Sequence, residues 1–478
     1  MRLHGRWLIF VLIFGALSAG AQEKTPLENA LAVERALIDA IAEAENSIVA
    51  ITRVRKAPGG GGPKPLDADF FPNELGTGVV IDRDGSILTA YHLLGDVKKN
   101  DYFVWVNKAS MGKVPWSTAT VKGGDTWTDL AVLKIDQPEN LKLHPIRFAP
   151  EKSFDLKKGQ FVIALGDPYA IMRDGEVAAA RGMISNLRRR AVENPRREKP
   201  FPGASTLHHY GTLIQHDAQL AFGRSGGALV NLKGEMIGLT TSLPIMPRYQ
   251  NAAGFAIPIE KGLQRIIDRL KAGKEAEFGF LGVKPSEVAI SRGVQLDIVV
   301  SGTPAGIAGL RPGDIITHID GKEVNSHIDL MRDLGKLPVE SNIELTVTRR
   351  GLTGLSIFKA RVKLSKKYVE TFRPSYAQSK RPKWRGMKID YATAVPLIQR
   401  NARLLDFPGG CVAVVDVEPS SPAWKAGMRP GTFISHVGEK QVATPKEFHR
   451  AVANQTGSVV IRLTAPQGGV GPLRIIEP

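Results

Sequence analysis

From Leu27 to about Ala50, alanine, leucine, isoleucine and valine recur at helical spacing between glutamate, arginine and aspartate, which predicts an amphipathic helix. Lys56 to Phe71 breaks the pattern: Pro58, four glycines, Pro63 and Pro65 predict a flexible loop. It ends in Phe70 and Phe71, aromatics that either dock on a neighbouring subunit or tuck onto the domain. Alternation with a period of two then takes over. Gly76 to His92 reads as strand, Asp-Gly turn and strand, with a histidine at the second strand's end. Tyr102 to Val106, Ser117 to Lys122 and the alternating Asp129 to Asp136 follow, and Asp129 stands at the mouth of the last. Gln160 to Gly166, Ala178 to Ile184, Gly211 to His216, Ala228 to Asn231 and Glu235 to Thr240 continue the series. So many short strands predict antiparallel barrels rather than a parallel sheet with crossover helices. An amphipathic helix from Ile259 to Leu270 closes the region.

The rest of the chain repeats itself. Thr303-Pro-Ala-Gly-Ile-Ala-Gly-Leu-Arg-Pro-Gly-Asp-Ile-Ile-Thr-His318 aligns without a gap on Ser421-Pro-Ala-Trp-Lys-Ala-Gly-Met-Arg-Pro-Gly-Thr-Phe-Ile-Ser-His436. Pro304 and Pro422 lie 118 residues apart, as do Gly313 and Gly431. That period is too long for a solenoid and predicts two copies of one domain. Lys366 to Lys383 between them is polar, basic and Pro-containing, hence a linker.

Composition adds limits. A chain of 478 residues exceeds one ordinary core, and 43% hydrophobic with 23% charged residues describes a globular protein. Arg2 and Arg6, the apolar run Trp7 to Leu17 and Ala19-Gly-Ala21 predict a secretory signal over 1–21, with an uncleaved anchor as the alternative. The expected location is therefore periplasmic or otherwise extracytoplasmic. Cys411 is the only cysteine, so no internal disulfide forms, and its apolar setting predicts an inert packed thiol. The net charge of +17 has its densest run at Leu187 to Lys199. No aromatic platform or nucleic-acid motif accompanies it, so the expectation is a solvated loop with weak attraction to anionic surfaces and no nucleic-acid partner.

The chemistry centres on Ala221-Phe-Gly-Arg-Ser-Gly-Gly-Ala-Leu-Val230, a serine in a glycine-rich turn running into an apolar strand. A serine hydroxyl needs a base to take its proton and donors to hold the oxyanion that follows. Of ten histidines, His92 alone precedes the aspartate at a strand end in a Thr-Ala-Tyr-His setting. Taken singly, His92 reads more readily as a core residue and Asp129 as a turn cap. The order His92, Asp129, Ser225 is that of chymotrypsin-type acyl transfer. His208, His209 and His216 lack a cysteine or carboxylate cluster to complete a metal site, so neither metal nor cofactor is expected.

Gly76-Thr-Gly-Val-Val-Ile81, Leu88-Thr-Ala-Tyr-His-Leu-Leu94, Thr128-Asp-Leu-Ala-Val-Leu-Lys134, Gln215-His-Asp-Ala218, Gly223-Arg-Ser-Gly-Gly-Ala-Leu-Val-Asn231 and Gly254-Phe-Ala-Ile-Pro258 together resemble the HtrA/Deg serine proteases. The repeated units look like their PDZ domains. The resemblance implies a mostly β chain: a chymotrypsin-like double antiparallel β-barrel followed by two α+β PDZ domains. The boundaries are 1–21 signal, 22–72 helix and loop, 73–273 protease, 278–365 first PDZ, 366–383 linker and 384–478 second PDZ. By it His92 is the general base, Asp129 its orienting partner and Ser225 the nucleophile, with backbone N–H groups of Gly223, Arg224 and Ser225 as oxyanion hole. Arg224 departs from the family's usual asparagine, and only its backbone is required; a long cation there bears on substrate approach or on an off state.

Proteases of this fold that cleave after Lys or Arg carry an acid six residues before the nucleophile, where this chain has Gln219. Leu220 with Ser242 and Leu243 would make an apolar pocket, which predicts cleavage after small or medium aliphatic residues. Phe280-Leu-Gly-Val283 matches the carboxylate loop with which a PDZ domain holds a C-terminal peptide, and Trp384-Arg-Gly-Met387 is the second domain's counterpart. A second PDZ that only packs and positions the first is the other reading. The expectation is thus an exported, ATP-independent endopeptidase of unfolded or misfolded proteins, a homotrimer or higher oligomer by resemblance. Two rivals stand beside it: a chaperone or PDZ scaffold with a latent protease domain, and a metal-dependent hydrolase.

Overall fold

The computed structural model describes residues 25–57, 72–106, 116–136, 142–166, 176–190, 206–219, 225–242, 253–288, 290–352, 354–369, 375–396, 410–464 and 470–478. The signal segment, the loop with Phe70 and Phe71, and most of the basic run lie outside these residues.

Helix α1 spans Pro26–Ala44. Thr25 caps it, its hydroxyl accepting from the Glu28 N–H while the Glu28 carboxylate accepts from the Thr25 N–H, so two free donors of the first turn are satisfied. The helix ends six residues before the expected Ala50, because Ile48–Arg55 is strand β1. The apolar run Ile48-Val-Ala-Ile51, β-branched at three of its four positions, mimics helical spacing when read continuously with α1. Its two faces divide: Val49 and Ile51 point into a barrel, and Ile48 joins the layer between barrels.

β2 (Glu74–Val80), β3 (Ser86–Ala90), β4 (Asn100–Val106), β5 (Trp116–Asp125) and β6 (Leu130–Ile135) follow. They pair in the order β5-β4-β1-β2-β3-β6, and β6 closes back on β5. β7 (Phe161–Gly166), β8 (Ala178–Arg189), β9 (Leu213–His216), β10 (Ala228–Val230), β11 (Met236–Thr241) and β12 (Gly254–Pro258) form a second closed barrel. Closure leaves few free sheet edges, an open one remaining on β5 beyond Ala119 where its pairing with β4 stops, and each barrel has its own apolar filling. β6 is buried almost throughout, not on one face as alternation suggested. Ala131, Leu133 and Ile135 fill the barrel, while Leu130 and Val132 meet helix α2 (Lys261–Lys271) on the outside. α2 supplies Leu263, Ile266, Ile267 and Leu270, one face of a 3.6-residue period, each contributing about 1.5–3 kcal/mol by burial.

Residues 279–366 form a second body, with helices α3 (Pro304–Ile307) and α4 (His327–Gly335) against a sheet in which Val283–Pro285 is the edge strand. Residues 387–476 repeat this plan, with helices at Pro422–Lys425 and Pro445–Val452. The repeat is exact where backbone geometry is most demanding. Gly282 and Gly386 both have positive φ, and a Cβ on either would strike Thr303 or Ser421, equivalent helix-capping residues of the two copies.

The bodies are tied together. Trp127 packs between Tyr210 and Phe278, donates its indole N–H to the Gly335 carbonyl at 3.0 Å, and carries the Lys367 ammonium over its ring. Lys366 and Arg381 meet Glu275, Glu277 and Asp390, an ion cluster that joins the barrels' exit, both repeats and the segment between them. Within the stretch read as linker, Tyr376–Ala377 adds to the edge of β5, with Tyr376 opposite Gly124.

Candidate active site

The β3–β6 ladder ends at the pair Ala90 and Leu130. His92 lies two residues beyond one strand and Asp129 one residue before the other, so the ladder itself brings them together. The turn Tyr91–Leu94 is anchored by buried Tyr91 and Leu94, which leaves His92 partly exposed at the barrel's end. One Asp129 carboxylate oxygen accepts from the His92 backbone N–H at 2.9 Å, and the other lies 2.7 Å from Nδ1. That contact fixes the ring's orientation and directs Nε2 away from the carboxylate.

Asp129 has φ +57, a left-handed conformation that a non-glycine residue holds only when its surroundings enforce it. Here they do. Its carbonyl accepts from the Tyr91 N–H at 2.9 Å. The preceding Thr128 gives both its N–H and its hydroxyl to the buried Asp125 carboxylate, at 2.9 and 2.7 Å. The Thr128 carbonyl lies 2.9 Å from Nε2 of His208, whose Nδ1 meets the Thr212 hydroxyl at 2.7 Å. His208 is fully buried, and burial pulls its pKa down, so the neutral ring donates from Nε2 and accepts at Nδ1. Burial pushes the Asp125 carboxyl up to about 6, against the hydrogen bonds from Thr128 and Ser375 that favour its charged form.

Ser225 comes from the other barrel. Its carbonyl accepts from the Thr77 N–H of β2 at 3.0 Å, a direct stitch between barrels. Thr89 steadies the same spot by donating its hydroxyl to the Thr77 carbonyl at 2.7 Å. Gly226 has φ +91, and a Cβ there would lie 2.1 Å from the Thr77 carbonyl, so only glycine permits this approach. The Gly226 N–H donates to the Thr240 carbonyl and the Gly227 N–H to its hydroxyl, which fixes the turn onto β11. Ser225 Oγ donates to Ser242 Oγ at 2.8 Å and accepts from the Ser242 N–H at 3.0 Å.

A trypsin-like peptidase domain model matches residues 76–239, and PDZ domain models match 279–355 and 414–465. A probable periplasmic serine endoprotease DegP-like of Chlamydia trachomatis is 30% identical over 407 residues, 83% of this chain and 73% of the relative. Its counterpart in Chlamydia muridarum is 30% identical over 423 residues, 85% of this chain and 75% of the relative. The chain belongs to the HtrA/DegP family of serine endoproteases. It is a serine protease with a trypsin-like domain and two PDZ domains. The solved HtrA-type protease AlgW with tripeptide shares the fold, at 23% identity and TM-score 0.51, covering 69% of this chain and 97% of that one.

Within this HtrA-type frame, the expected residues divide as follows. His92 and Asp129 pair at the end of the β3–β6 ladder, Ser225 and Ser242 pair on the second barrel where the Thr77 N–H reaches across to Ser225, and Gln219 is exposed at the end of the segment leading from β9 towards Ser225. Gly223, Arg224, Leu220 and Leu243 lie outside the described residues. Leu281 is buried in the first PDZ core, where its carbonyl accepts from the Ala305 N–H, and the Gly282 carbonyl accepts from Val300. The second PDZ copies both bonds with Arg385 and Gly386. There, however, the Met387 N–H is bonded to the Trp384 carbonyl, and the Arg385 guanidinium is held by the carbonyls of Gln455, Gly457 and Ile476. Asp125, Thr128, His208 and Thr77 escaped sequence reasoning. Asp125, four residues before Asp129, carried the one available signal: an Asp-x-x-Thr turn motif ahead of the strand. His208 completes no metal-ligand motif in the sequence, yet it buttresses the Asp129 turn.

Proposed function

We propose that this chain is an exported, ATP-independent endopeptidase of unfolded or misfolded proteins, acting through His92, Asp129 and Ser225. The observation that carries the reading is the His92–Asp129 pair, set by the β3–β6 ladder, beside a serine turn stitched to the same barrel by Thr77. In catalysis the Ser225 hydroxyl turns from Ser242 to His92 and attacks the scissile carbonyl as its proton passes to Nε2. Asp129 stabilises the imidazolium that forms. The N–H groups of Gly223 and Ser225 hold the oxyanion, a contribution of about 3–4 kcal/mol to barrier lowering. Nε2 then protonates the leaving amine, and water hydrolyses the acyl-serine by the same proton path in reverse.

Cleavage after small or medium aliphatic residues follows from Gln219 in place of an acid, with Leu220, Ser242 and Leu243 as pocket. Such residues are buried in folded clients, which supports an unfolded substrate. The first PDZ binds client C-termini with Phe280, Leu281, Gly282 and Val283. The second serves as a packing module, because an N–H of its loop is already committed to Trp384. Periplasmic location is supported by the 1–21 segment and by the names of the Chlamydia relatives. No helix among the described residues is long and apolar enough to cross a membrane.

The test is degradation of unfolded β-casein by the full chain and by Ser225→Ala, with a serine-directed phosphonate label. Cleavage and labelling in the wild type, both absent in the variant, are expected. A wild type that neither cleaves nor labels, even with C-terminal peptides added, would overturn the reading in favour of a binding protein.

A further inference from the structure

The segment joining the two PDZ domains does not bypass the protease domain. Tyr376 and Ala377 pair with Gly124 and Gly123 at the edge of β5. The pairing is extended at its far end, where the Gln378 N–H donates to the Lys122 carbonyl at 3.1 Å and the Ser379 N–H to Gly273 at 2.8 Å. The half-buried Tyr376 side chain packs on the filling of the first barrel. A bare edge strand offers unpaired N–H and C=O groups to any passing chain, and here the protein's own segment occupies it.

At its near end this strand reaches the turn that presents Asp129. The Ser375 hydroxyl donates to Oδ1 of Asp125 at 3.1 Å and accepts from the Thr126 N–H at 3.3 Å, with the Thr126 hydroxyl 3.2 Å away. Oδ2 of the same carboxylate takes the N–H and the hydroxyl of Thr128. Asp125 is 1% exposed, so little water can replace a lost donor. The connection therefore runs from Ser375 through Asp125 and Thr128 into a left-handed Asp129. Resting on the triad reading above, we infer that Ser375 is a positioning residue for catalytic Asp129, so the segment between the PDZ domains is part of the active-site scaffold.

The segment's other end makes this more than a brace. Six residues on, Arg381 enters the ion cluster with Glu275, Glu277 and Asp390, and Asp390 lies in the first strand of the second PDZ. Arg381 thereby ties the segment that carries Ser375 to the second PDZ.

The test compares full-length wild type, Ser375→Ala and Ser375→Thr. On an unstructured peptide, Ser375→Ala is expected to lower kcat about tenfold with KM within twofold, and Ser375→Thr to restore kcat. A second readout needs no turnover: the His92 Nδ1 proton resonance in histidine-labelled Ser225→Ala protein. Adding Ser375→Ala should broaden it or move it upfield, and Ser375→Thr should return it. Unchanged kcat and resonance in Ser375→Ala overturn the inference, as does a loss that Ser375→Thr fails to rescue while the thermal transition falls in parallel. A wild type without phosphonate labelling and without that resonance overturns the triad reading and this inference with it. A wild type that passes both, beside a silent Ser375→Ala, overturns this inference alone.

Discussion

The Ser225 hydroxyl donates a hydrogen bond to Ser242 Oγ at 2.8 Å and accepts one from the Ser242 N–H at 3.0 Å, so the proposed nucleophile rests on Ser242. A hydroxyl that spends its one proton on a neighbour must break that bond before it can pass the proton to a base. The backbone N–H of Ser242 would remain in any variant; its hydroxyl would not.

Ser242→Ala is therefore expected to label faster with a serine-directed phosphonate. The lost bond has a net worth of about 1 kcal/mol, which corresponds to about a fivefold rise in the second-order rate constant. An unchanged or slower rate would show that the Ser242 hydroxyl does not restrain Ser225.

His208 should set a pH dependence of stability. Its ring is fully buried between Thr128 and Thr212, and burial lowers its pKa from the ordinary histidine value. The unfolded chain binds a proton there below about pH 6.5 and the native chain resists it, so acid favours unfolding. The stabilisation is present above that pH and declines as pH falls. Relative to His208→Gln, the wild type should lose melting temperature between pH 7.5 and 5.5, measured by calorimetry. Parallel curves for the two proteins would contradict the assignment.

Trp127→Ala should uncouple the first PDZ from the barrels. The indole fills the space among Leu207, Tyr210, Phe278 and Gly335, and its N–H holds the Gly335 carbonyl at the end of α4. Removing a buried tryptophan costs about 3–5 kcal/mol. Calorimetry of the variant should resolve a separate, earlier PDZ transition, and trypsin should cut sooner near Lys274. A single unsplit transition would mean that the ion cluster around Lys366 holds the domains unaided.

The HtrA-type plan was legible because its signals are local. Alternating strands, Asp-Gly turns and a gapless repeat are short-range consequences of backbone sterics and burial, and the His, Asp, Ser order added the chemistry. β1 was not legible as a strand, since Ile48-Val-Ala-Ile51 continues the periodicity of α1 and only pairing with β2 and β4 distinguishes the two. The burial of both faces of β6 likewise needs α2, which is contributed from more than a hundred residues away.

What the chain by itself determined is the strand plan and a candidate set for the chemistry: one histidine at a strand end, one aspartate at a strand mouth, one serine among glycines. What only the tertiary structure decided is what holds them. Ser375 lies 250 residues from Asp125, Gly335 lies 208 from Trp127, and His208 lies 80 from Thr128. None of these partners leaves a periodic trace, because a single hydrogen bond imposes no pattern on the sequence around it. They become visible only when barrel closure and domain docking bring distant segments within 3 Å or so of one carboxylate, one indole and one carbonyl.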